Sequence, residues 1–356
     1  MKVKLWCIVL CCVFLVTVAH GAGHVVSVSG DEILLNGQAI KVIGMRCSNA
    51  LISDSTTQAL IGLLDTYKSY GCNTVSVFFM GSRFGDVKGY NPDATLNATY
   101  ASRMAAIIEA ADQRGMIVLV GCLYWSTSRA KEDLGHWGQS EADTAVANTV
   151  HWLSANGYRN VIVDADNEGM SPWNINQMVQ AGHAIDSTIM IANNGGDAAP
   201  DADLNIHFGP KESGKPWFNS EATVSSPLGG YWGTYSKETH QQDSSYYNYS
   251  RIGRYTSSMK TSQINNTWSD VSNYNGYMLA STWLQCAPDE GVNGPHMEPG
   301  GYSNIADVDA DIDALHPDAG VKWWLESVHA AYGAWVPPDA QPQAPAAPVG
   351  LSVSLK

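Results

Sequence analysis

The sequence predicts an α/β fold, a closed (β/α)8 TIM barrel, and three observations carry that reading. Eight short apolar runs with strand character alternate with segments of helical period, and alternation of this kind builds a parallel sheet. Eight is the number that closes such a sheet into a barrel. No glycine-rich phosphate loop follows the first run, which argues against an open, doubly wound sheet.

The elements are read in order. Residues 24–41 alternate (Val26, Val28, then Ile33, Leu35) around Gly30-Asp31 and Asn36-Gly37, a hairpin signature ahead of the barrel. Strands are expected at 42–47, 73–80, 116–123, 160–166, 188–192, 203–208, 216–220 and 276–283. Helices are expected at 55–70, 97–114, 140–156, 172–186, 244–271 and 319–333. The first of these sets Leu60, Leu63, Leu64 and Tyr67 on one face, and the second is closed by Gly115. Ser171-Pro172 reads as a cap with proline at the first helical position. The gaps between strands five and six and between six and seven are too short for a full helix, so the barrel is expected to be trimmed there. Long loops follow strands two, three, seven and eight, the last three rich in aromatic residues. Loops in those positions form the walls of barrel active sites.

Domain limits follow from composition. Residues 1–21 have the form of a secretory signal: Lys2 and Lys4, an apolar run from Leu5 to Val18, then Ala19-His20-Gly21. The run is short for a spanning helix, so the expectation is a secreted or periplasmic protein with no membrane association once the signal is removed. Residues 22–335 form the barrel domain. Residues 336–356, with Pro337, Pro338, Pro342, Pro345 and Pro348, read as a stiff linker or tail that could lead to further modules. A net charge of −14, from 20 Lys and Arg against 34 Asp and Glu, argues against nucleic acid as a partner. The expected partner is a polysaccharide or oligosaccharide, whose sugar faces suit the plentiful Trp and Tyr. Of the 7 cysteines, Cys47, Cys72, Cys122 and Cys286 lie beyond the signal with no CxxC pair, so neither a zinc cluster nor any other metal or cofactor is expected. Cys47 and Cys286 would meet if the first and last strands are neighbours, which leaves a disulfide there open.

Two strand ends carry the chemistry. Val161-Ile162-Val163-Asp164-Ala165-Asp166 delivers Asn167-Glu168 to the end of strand four, and Trp217-Phe218-Asn219-Ser220 delivers Glu221 to the end of strand seven. Three strands apart on a barrel, the two carboxylates face each other across the mouth. Cleavage of a glycosidic bond needs such a pair, one protonated to release the leaving oxygen and one ionised to attack or to activate water. An aromatic rim without chemistry would instead suit a carbohydrate-binding protein on a degenerate barrel.

Asn167-Glu168, Glu221 and Trp283 at the ends of strands four, seven and eight resemble the clan A (β/α)8 glycoside hydrolases, with the cellulase-like family 5 or a related divergent family the nearest pattern. The resemblance spans about residues 30–335. It implies a retaining enzyme (EC 3.2.1.-) with Glu168 as acid/base and Glu221 as nucleophile. It also implies Asn167 at the sugar 2-hydroxyl, His207 on strand six near the nucleophile and Trp283 beneath the sugar. Where family 5 carries an arginine in strand two, this chain has Ser76; Arg46, at the end of strand one, is the arginine expected to support Glu221. The family's His-x-Tyr becomes His207-Phe208-Gly209. Trp125, Tyr231 and Trp232, in loops beyond strand ends, are candidates for stacking on sugar rings.

Overall fold

The structure is a computed structural model, and it describes residues 23–81, 87–125, 128, 130–222, 257–280 and 322–339. Eight parallel strands close a barrel: β4 (Val42–Arg46), β5 (Thr74–Phe78), β6 (Ile117–Leu123), β7 (Val161–Asp166), β8 (Met190–Asn193), β9 (Leu204–Ile206), β10 (Trp217–Ala222) and β11 (Gly276–Ala280). They are joined in that order, with β11 pairing back onto β4. Around them run α1 (Asp54–Ser69), α2 (Ala98–Asp112), α3 (Gln139–Ala155), α4 (Ile175–His183), α5 (Ser257–Asn273) and α6 (Lys322–Tyr332). The predicted (β/α)8 barrel is therefore the observed fold. Residues 194–203 and 207–216 contain no helix, so the trimming between strands five and seven is also as read.

Two-residue alternation divides the barrel residues into layers. Val42, Ile117, Leu119, Ile162, Ile206 and Phe218 pack together inside. Ile43, Met45, Val75 and Val163 face outward into the helices. Below the inner cluster sits the predicted hairpin, extended by a third strand: β1 (Val26–Ser29), β2 (Glu32–Leu35) and β3 (Gln38–Ile40), all antiparallel. Its Val26, Ile33 and Leu35 join the inner cluster beside Val42 and Ile117, which begin their strands. The hairpin thus plugs the N-terminal end of the barrel and leaves the C-terminal end for chemistry. Asn36, at the turn between β2 and β3, donates to the carbonyls of Pro338 (3.0 Å) and Asp339 (2.8 Å), which fastens the start of the proline-rich stretch to the plug.

Two local readings are corrected. Helix α4 begins at Ile175 rather than at Pro172, and its cap is Asn174, whose Oδ1 accepts from the Gln177 N–H at 3.1 Å. The reason lies one turn earlier: the buried Asp166 carboxylate accepts the Ser171 N–H at 2.9 Å and holds the segment as a turn. Strand β9 stops at Ile206, so His207 lies just beyond strand six; its φ of +45° breaks the extended chain there.

Candidate active site

At the C-terminal end of the barrel the inner layer changes from apolar to polar. Arg46, last in β4, follows Val42 and Gly44 on the inner face and is wholly buried. Its guanidinium lies 4.8 Å from the Phe78 ring centroid and 5.6 Å from that of Tyr124. One of its nitrogens, Nη2, donates to Asn167 Oδ1 at 2.6 Å and pairs with Glu221 Oε2 at 3.0 Å. Burial disfavours the charge on Arg46, but Glu221 and, to a lesser extent, Tyr124, Asp164 and Glu168 outweigh it and raise the guanidinium's pKa. Arg46 pairs in register with Ser76 on β5. The arginine beside Glu221 thus comes from the strand next to the one on which Ser76 stands.

Glu221 reaches Arg46 because of an irregularity. Phe218 points into the inner cluster, so strict alternation would send Ser220 inward and Glu221 out among the helices. Between Asn219 and Ala222, however, β10 carries one residue more than β11 opposite: Asn219 pairs with Tyr277, and Ala222 with Leu279. This β-bulge re-aims the carboxylate inward, a familiar use of bulges beside functional sites. Burial pushes the Glu221 carboxyl up to about 7, against the opposing pull of Arg46; Glu168 adds to the rise and His207 resists it.

Glu168 sits in the short turn that follows β7, with φ of +56°. A bulky residue in the left-handed region is uncommon, and such strain gathers at functional sites. The next residue, Gly169, is also left-handed at φ +58°, and a Cβ there would come within 3.0 Å of the Gly195 Cα. Loops four and five therefore pinch together directly behind Glu168. Its Oε1 lies 3.3 Å from His207 Nε2, and both side chains are slightly open to solvent, at 12% and 15%, where Glu221 is closed at 1%. Oxygens of Glu168 and Glu221 and a nitrogen of His207 all lie within 4.8 Å of one another.

Asn167 is oriented by its neighbours. Arg46 only donates, so the Asn167 oxygen must face it; the same oxygen accepts from Asn194 Nδ2 at 3.4 Å. The Asn167 amide nitrogen, buried and without a hydrogen-bond partner among the described residues, is left as a donor. Asn194 Nδ2 is itself held by Asp164 Oδ2 at 2.8 Å. Burial raises the Asp164 carboxyl to about 6 and the Asp166 carboxyl to about 7. Asp164, Asp166, Asn194 and Asn219 escaped the sequence reading. The alternation in Val163-Asp164-Ala165-Asp166, which puts both acids on the inner face, was the available signal for two of them.

Five expected site residues are thus brought together: Arg46, Asn167, Glu168, His207 and Glu221. Trp125 lies in an aromatic cluster, its ring 4.5 Å from that of Trp173 and 5.9 Å from that of Trp137. Trp137 is fixed to the loop below by its Nε1 donating to the Pro92 carbonyl at 2.9 Å. Trp283, Tyr231, Trp232 and Cys286 lie outside the described residues, as does the signal-like segment; Cys47 is a buried free thiol. Glu168, His207 and Glu221 form the sole group of potential metal ligands among the described residues. Arg46 already brings a positive charge to this group. No helix among the described residues is long and apolar enough to cross a membrane.

No family model and no curated protein sequence matches this chain. Solved structures do. A glycoside hydrolase family 5 mannosidase from Rhizomucor miehei, in complex with mannosyl-fructose, is 10% identical with a TM-score of 0.53, over 87% of this chain and 97% of that one. A protein described only as a glycoside hydrolase is 13% identical with a TM-score of 0.53, over 87% and 74%. A glycoside hydrolase family 5 protein from Bacteroides vulgatus is 14% identical with a TM-score of 0.50, over 86% and 68%. At such identities the likeness establishes the barrel.

Proposed function

We propose that this protein is a secreted retaining glycoside hydrolase that cleaves β-linked polysaccharide, with Glu168 as acid/base and Glu221 as nucleophile. The observation that carries the reading is the close approach of the two carboxylates across the barrel mouth, one oxygen of Glu168 lying within 4.8 Å of one oxygen of Glu221. Direct attack on the sugar calls for carboxyl groups about 5–5.5 Å apart, whereas activation of an intervening water calls for roughly 6.5–9.5 Å. Barrels described as glycoside hydrolases share the architecture, which supports the same reading.

In the first step a Glu221 oxygen forms a bond to the anomeric carbon as the bond to the leaving oxygen breaks. The Glu168 proton passes to that oxygen. In the second step Glu168 takes a proton from water, the water oxygen bonds to the anomeric carbon, and Glu221 leaves as carboxylate. Arg46 supports the charge on Glu221 in the resting state and as it departs. The free Asn167 amide donor is suited to the sugar 2-hydroxyl, and Trp283 is assigned to the floor beneath the ring. Residues 1–21 are assigned to export, which N-terminal sequencing of the mature protein would check.

The test is release of reducing ends from a panel of β-mannan, β-glucan and β-galactan, with the anomer of the first product read by NMR. Glu168→Gln and Glu221→Gln are each expected to lose at least about 1,000-fold in turnover. Wild-type rates in both variants would refute the assignment. An inverted product would refute retention, and binding without cleavage would favour a carbohydrate-binding role.

A further inference from the structure

The acid/base reading leaves unexplained why His207 should stand against Glu168, and the contacts behind the histidine answer that. His207 Nδ1 lies 3.3 Å from Asn219 Oδ1. Two separate contacts fix which end of the Asn219 amide faces the histidine. Its Nδ2 donates to Asp270 Oδ2 at 3.1 Å, and its Oδ1 accepts the Glu221 backbone N–H at 3.3 Å. A carboxylate only accepts and a backbone N–H only donates, so the amide cannot be turned round without breaking both. The atom facing His207 is an oxygen, and Nδ1 must carry the proton. A neutral imidazole protonated on Nδ1 presents Nε2 as an acceptor. Glu168 Oε1 is 3.3 Å from that Nε2.

We infer that Asp270 and Asn219 are positioning residues for the acid: by fixing the proton on His207 Nδ1 they aim Nε2 at Glu168, so that ring and carboxyl share the catalytic proton. The Nε2–Oε1 contact then keeps that proton aligned with the Glu168 carboxyl between turnovers. The inference rests on the acid/base role of Glu168. Asp270 lies on α5, outside the barrel, yet lines the same polar cavity of about 240 Å3 as His207, Asn219 and Glu221. The path from helix to acid is continuous: Asp270, Asn219, His207, Glu168. His207, in the left-handed region at φ +45°, and the bulge after Asn219 both serve the alignment.

The tautomer can be read directly by nitrogen-15 NMR of histidine-labelled protein at a pH where His207 is neutral. The wild type should show His207 protonated on Nδ1. Asn219→Ala and Asp270→Ala should shift it toward the Nε2-protonated form. Asp270→Asn, which still offers an oxygen to Asn219, should keep the wild-type pattern. A wild-type His207 protonated on Nε2, or a tautomer indifferent to both alanine variants, would overturn the inference.

Kinetics separate its failure from that of the acid/base assignment. Phenyl β-glycosides need an acid to leave, whereas 2,4-dinitrophenyl β-glycosides do not. In the glycone that the wild type cleaves, Asp270→Ala should lower kcat/KM about tenfold or more on the phenyl substrate and leave it nearly unchanged on the dinitrophenyl one. Glu168→Gln should show the same split on a larger scale. An equal loss by Asp270→Ala on both substrates, with the split intact in Glu168→Gln, would refute the positioning role alone. Absence of the split in Glu168→Gln would refute the acid assignment, and the inference with it.

Discussion

Replacing Arg46 by methionine should do more than weaken the site; it should move the pH at which the protein works. Arg46 Nη2 stands 3.0 Å from Glu221 Oε2, and both groups are buried. At an effective dielectric constant of about 20, unit charges at that distance attract by about 5 kcal/mol. Part of this offsets desolvation, and losing one partner of a buried pair costs roughly 3–5 kcal/mol in practice. Glu221 already sits at about 7 with the arginine present, because burial outweighs it. At about 1.4 kcal/mol for each pH unit, removing Arg46 should raise the Glu221 carboxyl by roughly two to three and a half units. The nucleophile must be ionised, so the acid limb of kcat/KM should move upward by that amount, and activity at neutral pH, where Glu221 is half ionised to begin with, should fall about 50- to 2,000-fold. Arg46→Lys should keep much of the acid limb, since the charge remains, yet lose activity because a lysine ammonium lacks the guanidinium's fixed geometry toward Asn167 and Glu221. The assay is the pH dependence of kcat/KM for folded variants, checked by circular dichroism. A methionine variant whose profile overlays the wild type would refute the reasoning, for it would show that Glu221 takes no support from its partner.

Two further predictions concern the frame around the site. Burial raises the Asp166 carboxyl from its ordinary range to about 7, so the folded state binds a proton that the unfolded state has lost. Its contribution therefore falls as pH rises from about 4 through about 7, and at pH 8 Asp166 costs stability, by an upper figure of about 4 kcal/mol. Asp166→Asn keeps an oxygen for the Ser171 N–H, so thermal unfolding should show a higher Tm at pH 8 and little change near pH 4; equal shifts at both would refute this. Gly169→Ala sets a side chain at φ +58° against the Gly195 Cα. It should cost about 1–2 kcal/mol and lower turnover by displacing Glu168, as unfolding and initial-rate measurements would reveal; an unchanged variant would remove the case for a pinched loop behind the acid.

Much of this could be read from residue order. Eight apolar runs alternating with helical periods dictate a barrel, because each strand must bury both faces and each helix one, and the short gaps around Leu204–Ile206 leave no room for helices. Strand ends then place Asn167, Glu168 and Glu221 at one mouth. What sequence could not supply was anything that depends on a departure from regular geometry. Alternation read along β10 would turn Glu221 outward, and only its pairing with β11 reveals the extra residue that brings the carboxylate to Arg46. The arginine's distance from Glu221 is likewise a property of barrel closure, which brings Val42–Arg46 beside Gly276–Ala280 and one strand from β10. Asp270 is the clearest case, since nothing in a polar helix residue marks it as a partner of Asn219. Local chemistry thus determined which groups are present and at which end of the barrel they lie. Tertiary contacts alone decided which of them touch, because hydrogen bonds of about 3 Å between distant segments are set by packing and not by spacing along the chain.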